Sequence, residues 1–169
     1  PHVGVSVALY DADEPLVGVI HDPIRDEVFA AERGAGASCN GVSITVSDTT
    51  EMHRAVVVTG FPYDHDRFAA AYGRTVAAVL AEVNGIRRLG SAALDFGWLA
   101  AGRFDGFWEY SLGAWDMAAG AVIVTEAGGI ITDARGGRFT PESRHFVAAN
   151  PNLHSRLQAV VEPVLPAHL

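Results

Sequence analysis

The chain has 169 residues, 49% of them hydrophobic and 19% charged, so it is long enough to bury a sizeable core as one domain. Its formal net charge of -8 argues against a general nucleic-acid or membrane-surface binder, and no apolar run reaches transmembrane length. The single cysteine, Cys39, excludes an internal disulfide and predicts a cytoplasmic location.

The first third of the sequence is typical of an antiparallel meander. Segments rich in β-branched residues predict strands at Val3–Tyr10, Leu16–Ile20, Glu27–Ala31 and Ile44–Ser47. Turns are expected at Asp22-Pro23 and at Asn40-Gly41. Gly34-Ala-Gly36 is not a dinucleotide-binding loop, because Cys39 holds the sixth position of that pattern and no helix follows.

Strands and helices alternate through the rest of the chain. Further strands are predicted at Arg54–Thr59, Ile86–Leu89, Phe104–Tyr110, Ile130–Thr132 and Phe146–Ala149. Helices are predicted at Arg67–Val83, Ala92–Ala101, Asp116–Ala127 and Leu153–Val161. An antiparallel meander followed by alternating strands and helices predicts a layered α/β or α+β sandwich.

The third of these helices is the most informative stretch. Asp116 precedes Met117-Ala-Ala-Gly120, whose small residues would let another backbone come close, and Gly128-Gly129 supplies a stop. Asp116 has two interpretations. It is either an ordinary helix N-cap or a carboxylate ligand for a hard cation such as Mg²⁺.

Two more positions could bind a ligand. Ser91 joins a strand to a helix, and the N–H groups at that helix start can cap the helix alone or bind an anion or a hydroxyl. It does not lie in a Gly-x-Ser-x-Gly elbow, so a nucleophilic serine is not expected. Glu109 is equally consistent with a hydroxyl-binding group and with a solvated strand end.

The remaining polar and aromatic features favour structural interpretations. Asp105 is expected to be a turn residue, and Asp64-His65-Asp66 a capping and solvated turn. Arg87-Arg88 is interpreted as a surface or interface pair rather than a phosphate contact. Three tryptophans are expected to act as packing anchors, namely Trp98, Trp108 and Trp115.

Long strings of the sequence resemble one known family. Trp115-Asp-Met-Ala-Ala-Gly and Glu126-Ala-Gly-Gly match a C-terminal signature without gaps, and His21 to Ala37 matches a central hairpin. Arg87-Arg-Leu-Gly-Ser-Ala-Ala-Leu-Asp95 is similar to a substrate-side turn from strand to helix. These strings are those of the inositol monophosphatase family, and the similarity extends from Pro1 to about Asn150.

The resemblance implies a layered sandwich of the inositol monophosphatase and sugar phosphatase type, expected to be a homodimer. It implies Mg²⁺-dependent hydrolysis of a small phosphorylated polyol such as myo-inositol 1-phosphate. The net charge already predicts no nucleic-acid or membrane partner. Asp116 would be a metal ligand and Glu109 would bind a substrate hydroxyl. The backbone at Gly90, Ser91 and Ala92 would line the polyol side of the pocket.

One part of the family pattern is missing. The family's first motif, Asp-Pro-Ile-Asp-Gly-Thr, and a glutamate before it supply most metal ligands, and neither is found here. Asp22-Pro-Ile mimics the opening of that motif but belongs to the hairpin. We therefore expect residues 1–169 to form a single domain, the back part of a family member. They should be inactive alone, and none of them is assigned as catalytic.

Two alternatives remain open at this point. The chain could be a non-catalytic binding or scaffolding member of the same fold. It could also be a related phosphatase that acts on a nucleotide or sugar bisphosphate, because nothing local to Glu109 excludes such a substrate.

Overall fold

The computed structural model describes residues 1–12, 14–61, 63 and 65–165, with the backbone alone at 65–67. Within these residues the strands are β1 (Val5–Asp11), β2 (Glu14–Asp22), β3 (Glu27–Glu32), β4 (Gly36–Cys39), β5 (Val42–Ile44), β6 (Val56–Thr59), β7 (Gly85–Arg87), β8 (Gly106–Tyr110), β9 (Ile130–Asp133) and β10 (His145–Ala149). The helices are α1 (His65–Leu80), α2 (Ala92–Ala100), α3 (Ala114–Glu126) and α4 (His154–Val161). The predicted layered α/β class is confirmed.

The first sheet is the predicted antiparallel meander, in the order β1-β2-β3-β4-β5. The turn between β4 and β5 has φ of +50° at Asn40 and +78° at Gly41, left-handed values that these two residue types tolerate best. The Asn40 amide also accepts a hydrogen bond from the Val28 N–H (2.7 Å) and donates to the Asp26 carbonyl (2.8 Å). The prediction missed β4, whose four small residues carry no clear apolar period.

The second sheet is mixed and has the order β7-β6-β8-β10-β9. Strands β6, β7 and β8 run parallel, whereas β10 pairs antiparallel with β8 and β9. The carboxyl ends of three parallel strands therefore lie along one edge. Gly60, Arg88 and Glu109 lie at this edge, where open α/β sheets bind their ligands.

Helices α2 and α3 form a layer between the two sheets. Phe96 of α2 packs on Phe107 and Phe146 of the second sheet, with ring centroids 4.9 and 4.7 Å apart. These rings belong to a core that also contains Ile20 and Phe29 of the first sheet. One apolar core thus spans both sheets and the helices between them.

Helix α3 approaches the first sheet very closely, as its small residues predict. A Cβ atom at Gly18 of β2 would overlap the carbonyl oxygen of Ala119. The Tyr10 hydroxyl of β1 donates to the Ala118 carbonyl at 3.0 Å. The predicted stop is also confirmed: Gly128 has φ of +85°, and the Gly129 N–H donates to the carbonyl of Val124 at 2.8 Å.

Helices α1 and α4 cover the other face of the second sheet. A second core there contains Trp108, Val147 and Leu157. The Tyr72 hydroxyl of α1 accepts a hydrogen bond from the Tyr110 N–H at 2.8 Å. The layers are therefore the first sheet, α2 with α3, the second sheet, and α1 with α4.

Asp105 is a buried link between chain segments, so its assignment as a simple turn residue was wrong. It is 9% exposed, and its carboxylate accepts hydrogen bonds from the Ser47 hydroxyl and the Val56 N–H, both at 2.7 Å. The bond from Ser47 also explains why the predicted strand Ile44–Ser47 was misplaced. Ser47 turns toward Asp105, and β5 already ends at Ile44.

Strand β1 is an edge strand with an exposed apolar side. Val3, Val5, Val7 and Leu9 are 51 to 61% exposed, while the alternate residues face α3. An edge strand with a row of exposed apolar side chains is prone to pairing with other chains. None of the helices in the described ranges is long and apolar enough to cross a membrane.

Two glycine substitutions test the close contact between α3 and β2. Gly18→Ala should lower the free energy of unfolding by about 1–3 kcal/mol, because the added methyl group must push α3 away. Gly73→Ala is the matched control, since a Cβ at exposed, helical Gly73 meets no atom within 4 Å. That change should be neutral or stabilising by about 0.5–1 kcal/mol. Urea unfolding followed by circular dichroism measures both, and equal effects would contradict the proposed contact.

Candidate functional site

A cleft of about 1060 Å³ opens at the carboxyl ends of β6, β7 and β8 and at the N-termini of α2 and α3. The residues that the family resemblance assigns to a site all line this cleft: Gly90, Ser91, Ala92, Glu109 and Asp116. The structure thus brings together residues that lie up to 26 positions apart in the chain. Their chemical roles stay predictions.

The turn from β7 into α2 presents backbone N–H groups to the cleft. Gly90 has φ of +104°, a conformation that a side chain would strain. Ser91 is the N-cap residue, as predicted, but its hydroxyl makes no capping hydrogen bond. The first N–H groups of α2 therefore lack that side-chain partner and can donate to oxygen atoms of a ligand.

Glu109 is buried in the cleft wall, so the interpretation as a solvated strand end was wrong. It is 4% exposed, and a Cβ atom at Gly60 would overlap its carboxyl group. The end of β6 therefore needs glycine to make room for this acid. The Glu109 Oε2 atom has no hydrogen-bond partner among the described residues. Burial, and then the charge of Asp116, raises the pKa of Glu109 to about 8.

Asp95 is a second buried acid in the cleft, and the residue-by-residue prediction missed it. It is 1% exposed, and its Oδ1 atom has no hydrogen-bond partner in the described part of the chain. Burial, followed by the charge of Glu109, raises the pKa of Asp95 to about 8. The available signal was a single acid inside an apolar helix, between Leu94 and Phe96, which are both fully buried.

Asp116 lies at the start of α3 but is not its N-cap, contrary to the prediction. The N-cap is Gly113, and Asp116 is the third residue of the helix. Its Oδ2 atom accepts a hydrogen bond from the Gly113 N–H at 3.1 Å. Burial raises the pKa of Asp116, although this hydrogen bond acts in the opposite direction. One carboxylate oxygen is thus engaged in closing the helix start.

Arg88 brings positive charge to this acidic cleft. Its guanidinium lies over the Phe61 ring, 5.7 Å from the centroid, and its charge lowers the pKa values of both Glu109 and Asp95 against the effect of burial. Both arginines are exposed, as expected for a surface pair. Arg87 donates to the Ile86 carbonyl at 3.1 Å, and Arg88 also lines the cleft.

Trp115 also lies in the cleft, and its assignment as a packing anchor was wrong. Its side chain is 77% exposed and packs on Gly113 at the start of α3. Trp98 and Trp108 are buried, as expected. Trp115 therefore places an exposed aromatic ring beside Asp116.

The acidic hairpin residue Asp22 does not line the cleft. Asp22 is fully buried and accepts hydrogen bonds from the N–H groups of Ile24 (2.9 Å) and Arg25 (3.1 Å) and from the Arg25 guanidinium (2.8 Å). Burial would raise the pKa of Asp22, but these contacts outweigh it and lower the pKa. In Asp64-His65-Asp66, Asp64 lies outside the described residues, as do the side chains of the other two.

The described residues offer part of a site for a hard cation. Asp116 faces the cleft with a carboxylate, and Glu109 and Asp95 each hold an oxygen atom without a hydrogen-bond partner. Nevertheless, no group of three or more His, Cys, Asp or Glu side chains able to hold a metal ion exists among the residues that the structure describes. The donor set fits one side of a Mg²⁺ site rather than a complete one.

Comparisons with known proteins identify relatives of this chain. A family model described as the inositol monophosphatase family matches residues 1–165. An inositol-1-monophosphatase of Rhizobium meliloti is 42% identical over 167 residues, which cover 99% of this chain and 63% of the relative. A protein of Pseudomonas aeruginosa named Nus factor SuhB is 39% identical over 171 residues, covering 100% of this chain and 63% of that protein.

Solved structures show the same relationship. The inositol monophosphatase structure from Anabaena sp. PCC 7120 matches with a TM-score of 0.91 and 36% sequence identity. The match covers 98% of this chain and 66% of that structure. The chain therefore spans about 63% of the length of the curated relatives that it matches.

The raised pKa of Glu109 predicts a pH-dependent effect on stability. At pH values between the usual pKa of a glutamate and about 8, Glu109 is protonated in the folded chain and ionised in the unfolded chain. The free energy of unfolding therefore falls as the pH rises through this range. Glu109→Gln removes this titration. The unfolding free energy of Glu109→Gln minus that of the parent chain should therefore increase by more than about 1 kcal/mol from pH 5 to pH 8. One pKa unit corresponds to about 1.4 kcal/mol.

Urea unfolding at low protein concentration with a metal chelator measures this difference. Glu32→Gln, at an exposed position, is the control and should show no such increase. An equal pH trend for the parent and for Glu109→Gln would contradict the prediction.

Proposed function

This chain belongs to the inositol monophosphatase family, and from that premise we propose that it forms the back part of a Mg²⁺-dependent phosphatase that acts on a small phosphorylated polyol. The observation that supports this proposal is the convergence of Asp95, Glu109 and Asp116 with the start of α2 on one cleft. Acids and free N–H groups in one concave site suit a substrate that carries both hydroxyl groups and a phosphate.

Each residue has a distinct part in the proposed reaction. Asp116 would supply one oxygen ligand to a Mg²⁺ ion, whose chemistry would be to activate a water molecule and to offset charge on the phosphoryl group. Glu109 accepts a hydrogen bond from a substrate hydroxyl, and its position against Gly60 fixes the distance between that hydroxyl and Asp116. The backbone at Gly90, Ser91 and Ala92 lines the polyol side and donates to substrate oxygen atoms.

The proposed metal site needs ligands beyond these residues. The Asp-Pro-Ile-Asp-Gly-Thr motif is not found in the sequence, and Asp22, in the closest mimic, is bound to its own hairpin. The matched relatives are longer than this chain. We therefore propose that a front segment of the complete protein carries the other ligands and covers the exposed side of β1. The homodimer and the cytoplasmic location remain predictions.

A non-catalytic role is the second candidate. The Pseudomonas aeruginosa relative is named Nus factor SuhB, so a protein of this family and of similar sequence carries a name that is not that of a phosphatase. A bisphosphate substrate is an alternative within the catalytic proposal. Assays on inositol, nucleotide and sugar phosphates distinguish a bisphosphate substrate from a polyol monophosphate. If a chain that includes the motif turns over none of these substrates, the non-catalytic role is favoured.

Residues 1–169 alone should show no Mg²⁺-dependent phosphate release. A version extended at its N-terminus by a family segment that carries the Asp-Pro-Ile-Asp-Gly-Thr motif should be active, because each Mg²⁺ needs several protein oxygen ligands. The short chain should also self-associate through β1. Phosphate release by both proteins at matched concentration, with Mg²⁺ and with a chelator, is the measurement. Chelator-sensitive turnover by the short chain would show that the ligands lie within these residues.

Asp116→Asn should separate metal binding from helix capping in the extended protein. Loss of a metal ligand should reduce turnover by about 100-fold or more and raise the Mg²⁺ concentration needed for half-maximal activity. If Asp116 only closes the helix start, turnover should be unchanged and the cost in stability should not exceed about 1 kcal/mol, because the asparagine oxygen still accepts from the Gly113 N–H. Asp26→Asn, at an exposed turn position, is the control. If Asp116→Asn melts at a lower temperature but keeps full turnover, Asp116 is a structural residue and not a metal ligand.

A further inference from the structure

The end of β8 loses one of its neighbours in the sheet, because β6 stops beside it. The two strands pair in register up to Thr59 opposite Trp108, and β6 ends there. The next residue, Gly60, has no room for a side chain, since the carboxyl group of Glu109 fills the space that its Cβ atom would need. On the other side Glu109 still pairs with Phe146 of β10. Glu109 therefore lies where β8 is supported by a strand on one side only.

Two buried hydroxyl groups bind the backbone of β8 on either side of Glu109. The Thr59 hydroxyl donates to the Trp108 carbonyl at 2.7 Å, and the Tyr72 hydroxyl of α1 accepts from the Tyr110 N–H at 2.8 Å. Both side chains are buried, so water does not compete for these bonds. The residues before and after Glu109 are thus held by side chains in the place of a neighbouring strand.

Tyr72 also connects this strand end to the cationic side of the cleft. Its ring centroid lies 4.8 Å from that of Tyr110 and 5.3 Å from that of Phe61, the ring over which the Arg88 guanidinium lies. Burial, and then the charge of Glu109, raises the pKa of Tyr72, so the phenol stays neutral near this acid. One side chain of α1 therefore contacts the supports of both charged groups.

We propose that Thr59 and Tyr72 are positioning residues of the cleft. Their hydroxyl groups replace the missing part of β6 and so fix the carboxyl group of Glu109 relative to Arg88. Neither residue lines the cleft, so both act through Glu109 and not by touching a ligand. The inference rests on the proposed function for its consequence in the reaction.

The physical reason is the cost of an unpaired strand end inside a protein. A buried N–H or carbonyl group that loses its hydrogen bond destabilises the folded state, so the strand end would move until both groups found new partners. Glu109 lies between these two groups, and its carboxyl group would move with the backbone. A displacement of about 1 Å in an active site can reduce a rate by about 100-fold.

Hydrogen exchange in residues 1–169 tests the contact without any reaction. Tyr72→Phe keeps the ring and removes the hydroxyl, so the segment that contains the Tyr110 amide should exchange at least about tenfold faster, as expected for the loss of one hydrogen bond. Tyr110→Phe is the matched control. It removes an equally buried hydroxyl, which lies 3.0 Å from that of Thr75, and keeps the bond of the Tyr110 N–H.

Mass spectrometry at low protein concentration measures this exchange, and β9 serves as the internal reference for global unfolding. Faster exchange that is confined to Tyr72→Phe supports the inference. Unchanged exchange in Tyr72→Phe, or equal acceleration in both variants, overturns it.

Kinetics of the extended protein test whether the reaction depends on this support. Thr59→Val and Tyr72→Phe should each lower kcat/KM about tenfold for myo-inositol 1-phosphate. The loss should be less than about twofold for phenyl phosphate, which offers no hydroxyl group to Glu109. Thr75→Val and Tyr110→Phe each remove one hydroxyl of a buried pair and should change neither value. In a Glu109→Ala background, Tyr72→Phe should have no further effect, because the group that it positions is gone.

The outcomes separate this inference from the proposed function. Equal losses on both substrates, equal losses in the control variants, or an undiminished effect of Tyr72→Phe in the Glu109→Ala background would make the hydroxyl groups purely structural and overturn the inference. If the extended protein hydrolyses neither substrate, it is the phosphatase proposal that fails. Hydrogen exchange then decides by itself whether the two hydroxyl groups hold the Glu109 segment.

Discussion

The close contact between α3 and β2 is the constraint on which the rest of the molecule depends. The Ala119 carbonyl lies where a side chain at Gly18 would have to be, so the helix can approach the sheet only at a glycine. The same holds on α2 and α3 themselves, where Phe29 packs on Gly97 and Phe96 packs on Gly120. These contacts make the middle layer thin. A thin layer allows one core to join both sheets and places the starts of α2 and α3 beside the ends of the parallel strands.

The cleft combines unfavourable electrostatics with a rigid frame. Asp95 and Glu109 are buried with one unpartnered oxygen atom each, and Asp116 adds a third acid at the start of α3. Arg88 offsets part of this charge from the rim. Such an arrangement lowers the stability of the folded chain, yet it holds the carboxyl groups in fixed positions for a ligand. Because the acids project from helices and a strand, the ligand does not have to order them.

The chain supplies one side of a site whose other side is proposed to come from elsewhere. It spans 63% of the length of two curated relatives. Within the described residues no complete set of metal ligands is present. Under the proposed function, Asp116 would bind the metal, whereas Glu109 and the start of α2 would bind the polyol. A chain of this kind would retain substrate recognition even where catalysis is absent.

The sequence by itself determined the layered class, the meander, most of the later elements and the family, because these depend on local periodicity and on contiguous strings of residues. It also identified the stop of α3 at Gly128-Gly129, since that motif is complete within a few residues. Tertiary structure alone decided the helix start at Gly113, the burial of Asp105 and the exposure of Trp115. It also paired Asp95 with Glu109, which lies on another element. Burial and proximity depend on which distant segments pack together, and a one-dimensional pattern does not contain that information.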